Sequence, residues 1–259
     1  MKTALVTGAC INTGVAIVEK FASEGYNVVF TGRNMEKVHA KEREYSEKFP
    51  DVQIIGYHID SLTDERTVDE EAAREMFASL DEKGIFVETL VLNAADQGLN
   101  MKVFENPITD LQRVINTNVV WNFCLSELAA ARMKEQGGGN IVFVNSNTAY
   151  RAIPDRIAYV ASKGGQLGLM RALTLDLGKY NIRVNAVLPG MIKTDRWEKN
   201  PEFYKTVPSR YTPIGDVAVG EDVADAVYYF AAHARNTTGA ELVVDGGNTV
   251  QLYPIIPKE

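Results

Sequence analysis

Two cysteines, Cys10 and Cys124, in 259 residues are too few for a disulfide framework. Three histidines, His39, His58 and His233, lie scattered without metal-ligand spacing, so neither a metal site nor a Ser-His-Asp triad is expected. Lys and Arg form no cluster and the net charge is −7, which argues against nucleic acid or an anionic membrane as partner. No run of 18 apolar residues marks a membrane span. The apolar stretch within Met1–Gly8 is too short for a signal peptide, and a reducing cytoplasm is the expected location. Neither repeat nor low-complexity linker divides the chain. What remains is 46% hydrophobic, enough for one large core, and a single domain over residues 1–259 is expected.

Short apolar runs alternate with helical patterns along that length. Strands are expected at Thr3–Thr7, Asn27–Thr31, Val52–Tyr57, Val87–Leu92, Asn140–Asn145, Asn181–Leu188 and Gly239–Val244. Runs apolar at successive positions suit strands covered on both faces, so the fold class is α/β with a doubly wound parallel sheet. Helices are expected between them, notably Met35–Phe49, an acidic one at Thr63–Leu80, one opened by Pro107 and running to about Gln136, and one through Tyr159 to about Gly178. Residues 191–216 differ: three prolines and Trp197, Phe203, Tyr204 and Tyr211 mixed with charges read as a substrate lid.

The chemistry-bearing residues fall where strands end. Gly8-Ala-Cys-Ile-Asn-Thr-Gly14 joins the first strand to a helix, a turn that lets backbone N–H groups approach a pyrophosphate. Asn12 stands where such a loop usually has glycine, and Asn is among the few residues that tolerate left-handed backbone. After the second strand comes Gly32-Arg33 with no carboxylate to bind a ribose diol. Arg33 is there either to receive a 2′-phosphate or simply as a solvated cation. Asp60, after the third strand, either caps a helix or meets an adenine. Asn118, on an apolar helix segment, either bonds backbone or holds a water in a proton path. Ser146 sits at the end of the fifth strand, flanked by Asn145 and Asn147, which either meet a polar substrate or tie down the loop. Tyr159 and Lys163, four apart on a helix, share one face. An ammonium near a phenol favours the phenolate, and a tuned Tyr can exchange a proton with an oxygen that Ser146 holds. Alone the Tyr-x-x-x-Lys pair is also an ordinary helix surface.

Together these motifs, from Thr7-Gly8-Ala9 with Gly14 through Asp60, Asn93-Ala94, Asn118, Ser146, Tyr159, Lys163, Pro189-Gly190 with Thr194, to Asp245-Gly246-Gly247, give a chain that resembles the short-chain dehydrogenase/reductase family. The resemblance implies a Rossmann-type sheet of about seven strands and hydride transfer between NAD(P) and a carbonyl or alcohol. It implies Tyr159 as acid/base, Ser146 steadying the substrate oxygen, Lys163 lowering the Tyr pKa and holding the ribose, and Asn118 completing a proton relay. Cofactor contacts are implied for Gly8, Asn12, Thr13, Gly14, Arg33, Asp60, Asn93, Ala94, Tyr159, Lys163, Pro189, Gly190, Ile192 and Thr194, and no metal. The sequence departs from the family at Asn12, at Ala95 in place of a glycine, and at Asp216 in place of an arginine. The leading expectation is an NADP(H)-preferring ketone or aldehyde reductase, a homotetramer acting on a small molecule, with NAD(H) the alternative cofactor. A polyol, sugar or hydroxysteroid dehydrogenase is the second expectation, a non-catalytic nucleotide sensor the third. An acyl-carrier-bound substrate meets no basic patch for an acidic carrier.

Overall fold

Seven parallel strands form one sheet in the order β3-β2-β1-β4-β5-β6-β7. They are β1 (Thr3–Val6), β2 (Asn27–Gly32), β3 (Ile54–His58), β4 (Thr89–Leu92), β5 (Gly139–Val144), β6 (Ile182–Pro189) and β7 (Glu241–Val244). The computed structural model describes residues 1–254 except 65, 195–196 and 198–200, and omits the side chains of 203, 204 and 209. Helices α1 (Asn12–Ser23), α2 (Met35–Lys48), α3 (Glu70–Glu82), α4 (Ile108–Ile115), α5 (Trp121–Glu135) and α6 (Ile157–Leu177) fill the crossovers, followed by helices at Pro201–Tyr211 and Gly220–Tyr228.

The strands read as continuous apolar runs because both faces are covered. Ala4 and Val6 point to one side, with Phe30, Val91, Val142 and Val187, against Ile17, Val18 and Phe21 of α1. Leu5 points to the other, with Leu90, Leu92, Ile141 and Phe143, against Phe77 of α3, Leu125 of α5 and Met170 of α6. The period of two divides each strand between two cores, so a one-residue slip would exchange both. Strand order reverses between β1 and β4, and the crevice outside their carboxyl ends is where such sheets bind ligands.

Two expected elements are corrected. The acidic helix does not start at Thr63. Asp64 accepts hydrogen bonds from the backbone N–H groups of Arg66 and Thr67, Leu62 bridges Val68, and Asp69 caps α3 by accepting from Ala72 N. These local bonds satisfy the backbone in a turn and delay the helix to Glu70. The helix expected from Pro107 to about Gln136 is interrupted at Asn116–Val120 by a π-helical turn centred on Asn118. Such turns often accompany functional sites. Part of the stretch expected to be a lid, 195–196 and 198–200, and the side chains of Phe203 and Tyr204 lie outside the described residues. Around them, Ile192 bridges Ala218, and Pro201–Tyr211 is helical with Pro208 inside it.

Candidate active site

Ser146 leaves β5 in extended conformation, φ −166°, and starts a short 3₁₀ turn. Its amide donates to Asn145 Oδ1 at 2.7 Å and its Oγ accepts from Thr148 N at 3.2 Å. From α6, Tyr159 reaches across toward Ser146, whose side chain is near enough to lower the phenol's pKa. One turn further on, Lys163 is buried, its Nζ 5.5 Å from the Tyr159 ring centre. The ammonium donates to Val144 O at 3.0 Å and Gln166 Oε1 at 3.1 Å. Ser146, Tyr159 and Lys163 thus meet at the carboxyl edge of the sheet.

Electrostatics here departs from the expectation in one respect. Burial raises the Tyr159 pKa above the ordinary phenol value, and the Ser146 side chain and the charge of Arg156 only partly offset it. Lys163 is itself pushed down to about 7 by burial, because both of its partners are neutral. The expected lowering of Tyr159 by Lys163 does not hold in the chain by itself: near neutral pH the lysine is only partly charged, and desolvation dominates the phenol.

The flanking asparagines are structural. Asn145 Nδ2 donates to Lys163 O at 2.9 Å and Gln166 Oε1 at 3.0 Å, and Asn147 Nδ2 donates to Asp245 Oδ2 at 3.2 Å and Asn248 Oδ1 at 3.0 Å. They tie down the loop. Asn118 clamps the segment after β4, accepting from Asp96 N at 2.7 Å and donating to Asp96 O at 2.8 Å and Ser162 Oγ at 2.9 Å. Both readings left open for Asn118 involved its polar atoms, and the backbone one is seen. Sequence reasoning missed Gln166 and Arg156. The available signal was spacing: Gln166 is i+3 from Lys163, and Arg156 is i−3 from Tyr159.

The glycine loop has the shape a dinucleotide needs. Gly8 has φ +66°, and a Cβ there would come within 2.9 Å of Ala94. At Gly14 a Cβ would meet Gly8 O at 2.5 Å and Asn93 Nδ2 at 2.8 Å. Asn93 Nδ2 in turn holds Thr7 O and Gly8 O at 3.0 and 3.1 Å, so Asn93 and Ala94 brace the loop. Asn12 adopts φ 49°, the left-handed backbone its side chain tolerates. No side chain caps α1, and its first turn holds no acid, which leaves N–H groups for an anion. Thr13 is half-buried beside them. At the far end, Arg33 is exposed and makes no hydrogen bond or ion pair among the described residues. Asp60 caps no helix: it is exposed and its Oδ1 accepts from Ser61 N at 2.7 Å. Pro189 ends β6, and Gly190, Ile192 and Thr194 follow it along the same edge. A Cβ at Gly190 would meet the Asp245 Cβ at 2.6 Å, which explains that glycine by packing. Asp216, which stands in place of a family arginine, accepts from Val217 N at 2.7 Å and shapes a turn. These residues fit a dinucleotide. The described residues contain no cluster of three or more potential metal ligands, and no helix among them is long and apolar enough to cross a membrane.

A family model described as enoyl-(acyl carrier protein) reductase matches residues 8–249. The chain belongs to the short-chain dehydrogenase/reductase family. It is 34% identical to a 3α-hydroxysteroid dehydrogenase of Mediterraneibacter gnavus, over 95% of this chain and 96% of that one. Among solved structures it is similar to an L-sorbose reductase of Gluconobacter frateurii complexed with NADPH and L-sorbose, with a TM-score of 0.88, 26% identity and 97% of each chain covered. It is also similar to a 7α-hydroxysteroid dehydrogenase complexed with NADH, with a TM-score of 0.84, 29% identity and 97% and 95% of the chains covered. This short-chain dehydrogenase is therefore an oxidoreductase that uses a nicotinamide cofactor.

Proposed function

We propose that the protein is an NADP(H)-preferring reductase of a ketone or aldehyde, and that Tyr159, Ser146 and Lys163 carry the reaction. The observation that supports it is the meeting of Ser146, at the end of β5, with Tyr159 and the Lys163 Nζ 5.5 Å from its ring centre on α6. The nicotinamide, when bound, supplies the hydride. Ser146 Oγ holds the carbonyl oxygen, and the Tyr159 phenol gives its proton to that oxygen as negative charge develops there. A phenol held above its ordinary pKa is protonated at neutral pH and so carries the proton that reduction requires. Lys163, when charged, eases loss of that proton and faces the cofactor ribose, and Asn118 fixes the loop between β4 and the crevice. Gly8, Asn12, Thr13 and Gly14 receive the pyrophosphate, Arg33 the 2′-phosphate and Asp60 the adenine. Asn93, Ala94, Pro189, Gly190, Ile192 and Thr194 border the rest of the cofactor, and residues 191–216 close over a small-molecule substrate.

A hydroxysteroid, polyol or sugar dehydrogenase is the second reading, favoured by the similarity to the steroid enzyme and the sorbose reductase. Relatives with either cofactor occur, so the NADP(H) preference rests on Arg33 and the missing carboxylate after β2. The test is turnover of NADPH and NADH by the purified protein on ketones, sugars, steroids and acyl thioesters. Oxidation of neither cofactor with any of them would sink the reading.

We further propose a homotetramer working in the cytoplasm. The exposed face of α6 carries Ala161, Gly164, Gly165 and Gly168, where a Cβ on Gly164 or Gly168 would meet nothing within 4 Å and one on Gly165 only Val119 at 3.4 Å, and Val120 and Phe123 are also exposed. Small residues let a second copy's helices approach closely. Ala158, whose small size suggests the same role in the sequence, does not belong to that face, being buried with Met101 and Val114. Sedimentation at micromolar concentration showing only monomer would overturn the assembly.

A further inference from the structure

Glutamine has a long, flexible polar side chain and is seldom fully buried. Gln166 is 1% exposed, on α6 one turn beyond Lys163, between the apolar Leu167 and the helix's own Lys163. All its polar atoms are engaged. Oε1 accepts from Lys163 Nζ at 3.1 Å and from Asn145 Nδ2 at 3.0 Å, while Nε2 donates to Asn118 O at 2.7 Å. The partners fix the amide's orientation, since only the oxygen can face an ammonium and only the nitrogen can face a carbonyl. One side chain thus joins the lysine behind Tyr159, the asparagine before Ser146 and the π-helical turn at Asn118.

We propose that Gln166 is a positioning residue for the Lys163–Tyr159 pair: its carboxamide spans the gap between the Lys163 ammonium and the Asn118 carbonyl and supplies one of the two neutral acceptors that hold the ammonium. The Asn118 carbonyl is further occupied by Asn122 Nδ2 at 2.9 Å. A carboxamide gives up no proton at neutral pH, so protons do not pass from Lys163 to Asn118 through this link. Asn118 O acts instead as an anchor. Lys163 faces Val144 O from β5, Gln166 and the Tyr159 ring from its own helix, and no carboxylate among the described residues, so its charge depends on how well these neutral groups replace water.

The proposal rests on the reading of Tyr159 and Lys163 as reacting groups, and the experiment separates the two. Carbonyl reduction with NADPH is followed against pH in wild type, Tyr159→Phe, Gln166→Met and Gln166→Glu, with thermal melts of each. Gln166→Met keeps the length and removes the acceptor. Its kcat near pH 8 should drop about 10-fold, a part of the roughly 10² to 10⁴-fold an acid–base group contributes, with substrate KM little changed. Its alkaline limb should move to lower pH, because the ammonium has lost a partner. Gln166→Glu keeps the shape and adds an anion, so its alkaline limb should move to higher pH. A merely structural glutamine would change the melt and leave both limbs in place. Unmoved limbs in a folded variant overturn the proposal, and either variant is decisive should the other fail to fold. Full activity in Tyr159→Phe would instead overturn the underlying reading of the site.

Discussion

The two ends of the crevice are built in opposite ways. At the reacting end, Asn118, Asn145, Ser146, Lys163 and Gln166 are all buried, and every one bonds at least one of the others or the backbone beside it. At the end proposed above for the adenosine, Arg33 and Asp60 are exposed, and Arg33 has no partner among the described residues. A buried polar network holds one geometry because each unmet group costs about 1 to 3 kcal/mol. An exposed guanidinium holds none until a ligand arrives. The difference teaches that, under the proposed reading, the reacting groups are held by many mutual bonds whereas cofactor choice would hang on few side chains, so substitutions should couple strongly at one end and act singly at the other.

Tyr159→Phe gives the largest expected effect. It removes one oxygen, keeps the ring over Lys163, and should lower kcat by about 10² to 10⁴-fold while cofactor binding and the melt stay close to wild type. A near-normal rate would break the comparison at its strong end.

Arg33→Ala probes the weak end. Arg pairs bidentately with phosphate, and a charge-assisted hydrogen bond contributes about 1.5 to 3 kcal/mol, so the preference for NADPH should fall by roughly 10 to 150-fold. NADH use should barely change, and the Tyr159→Phe defect should add to it independently. Measuring kcat/KM with both cofactors checks this. A wild-type preference for NADH, or equal loss of both, would make Arg33 an ordinary surface cation.

How much of this was readable beforehand follows the same division. The strands were legible because burial on both faces leaves an unbroken apolar run, as in Ile141–Val144, and the glycine loop because its turn and close approach exclude side chains at Gly8 and Gly14. Ser146, Tyr159 and Lys163 were legible as types at a spacing. Their protonation was not: it depends on the water excluded around them, and burial reversed the direction expected for Tyr159. Gln166 was hidden because a polar residue on a helix reads as solvent-facing until the packing of α6 against β6 and the π-helical turn is known. The start of α3 was hidden because Asp64 and Asp69 offered two turn-forming carboxylates, and the sequence pattern does not rank them.

Lys163 also predicts how stability varies with pH. Its pKa is about 7 in the fold, against an ordinary lysine value of roughly 10.4 in the unfolded chain. Between those values the unfolded state binds more protons, so stability rises with pH; below about 7 both states are charged and this contribution is flat. Cys10 and Cys124, raised by burial, oppose the trend only as pH approaches their unfolded value. From pH 7 to about 8.5 the fold should gain on the order of 1 kcal/mol, seen as a rise of a few degrees in Tm. Lys163→Met should flatten that rise whatever it does to the absolute Tm. A wild-type Tm that falls over this range would show that Lys163 is charged in the fold, and the reacting end less dry than its burial indicates.

The smallest effect is expected at Asn12, at the start of α1. Its φ of 49° is left-handed, which costs a residue with a Cβ roughly 1 to 2 kcal/mol and costs Asn less, while Gly carries no such penalty. Asn12 is exposed, so a substitution there changes backbone strain without opening a cavity. Asn12→Ala should therefore lose about 1 kcal/mol, a drop in Tm of about 2 to 4 °C, and Asn12→Gly should lose nothing. If the loop conformation is what the pyrophosphate requires, Asn12→Ala should weaken NADPH and NADH alike, because that part is common to both cofactors. Arg33→Ala separates them, and Asn12→Ala should not. A change at Asn12 that altered the NADPH to NADH ratio would place the loop, rather than the end of β2, in charge of cofactor choice.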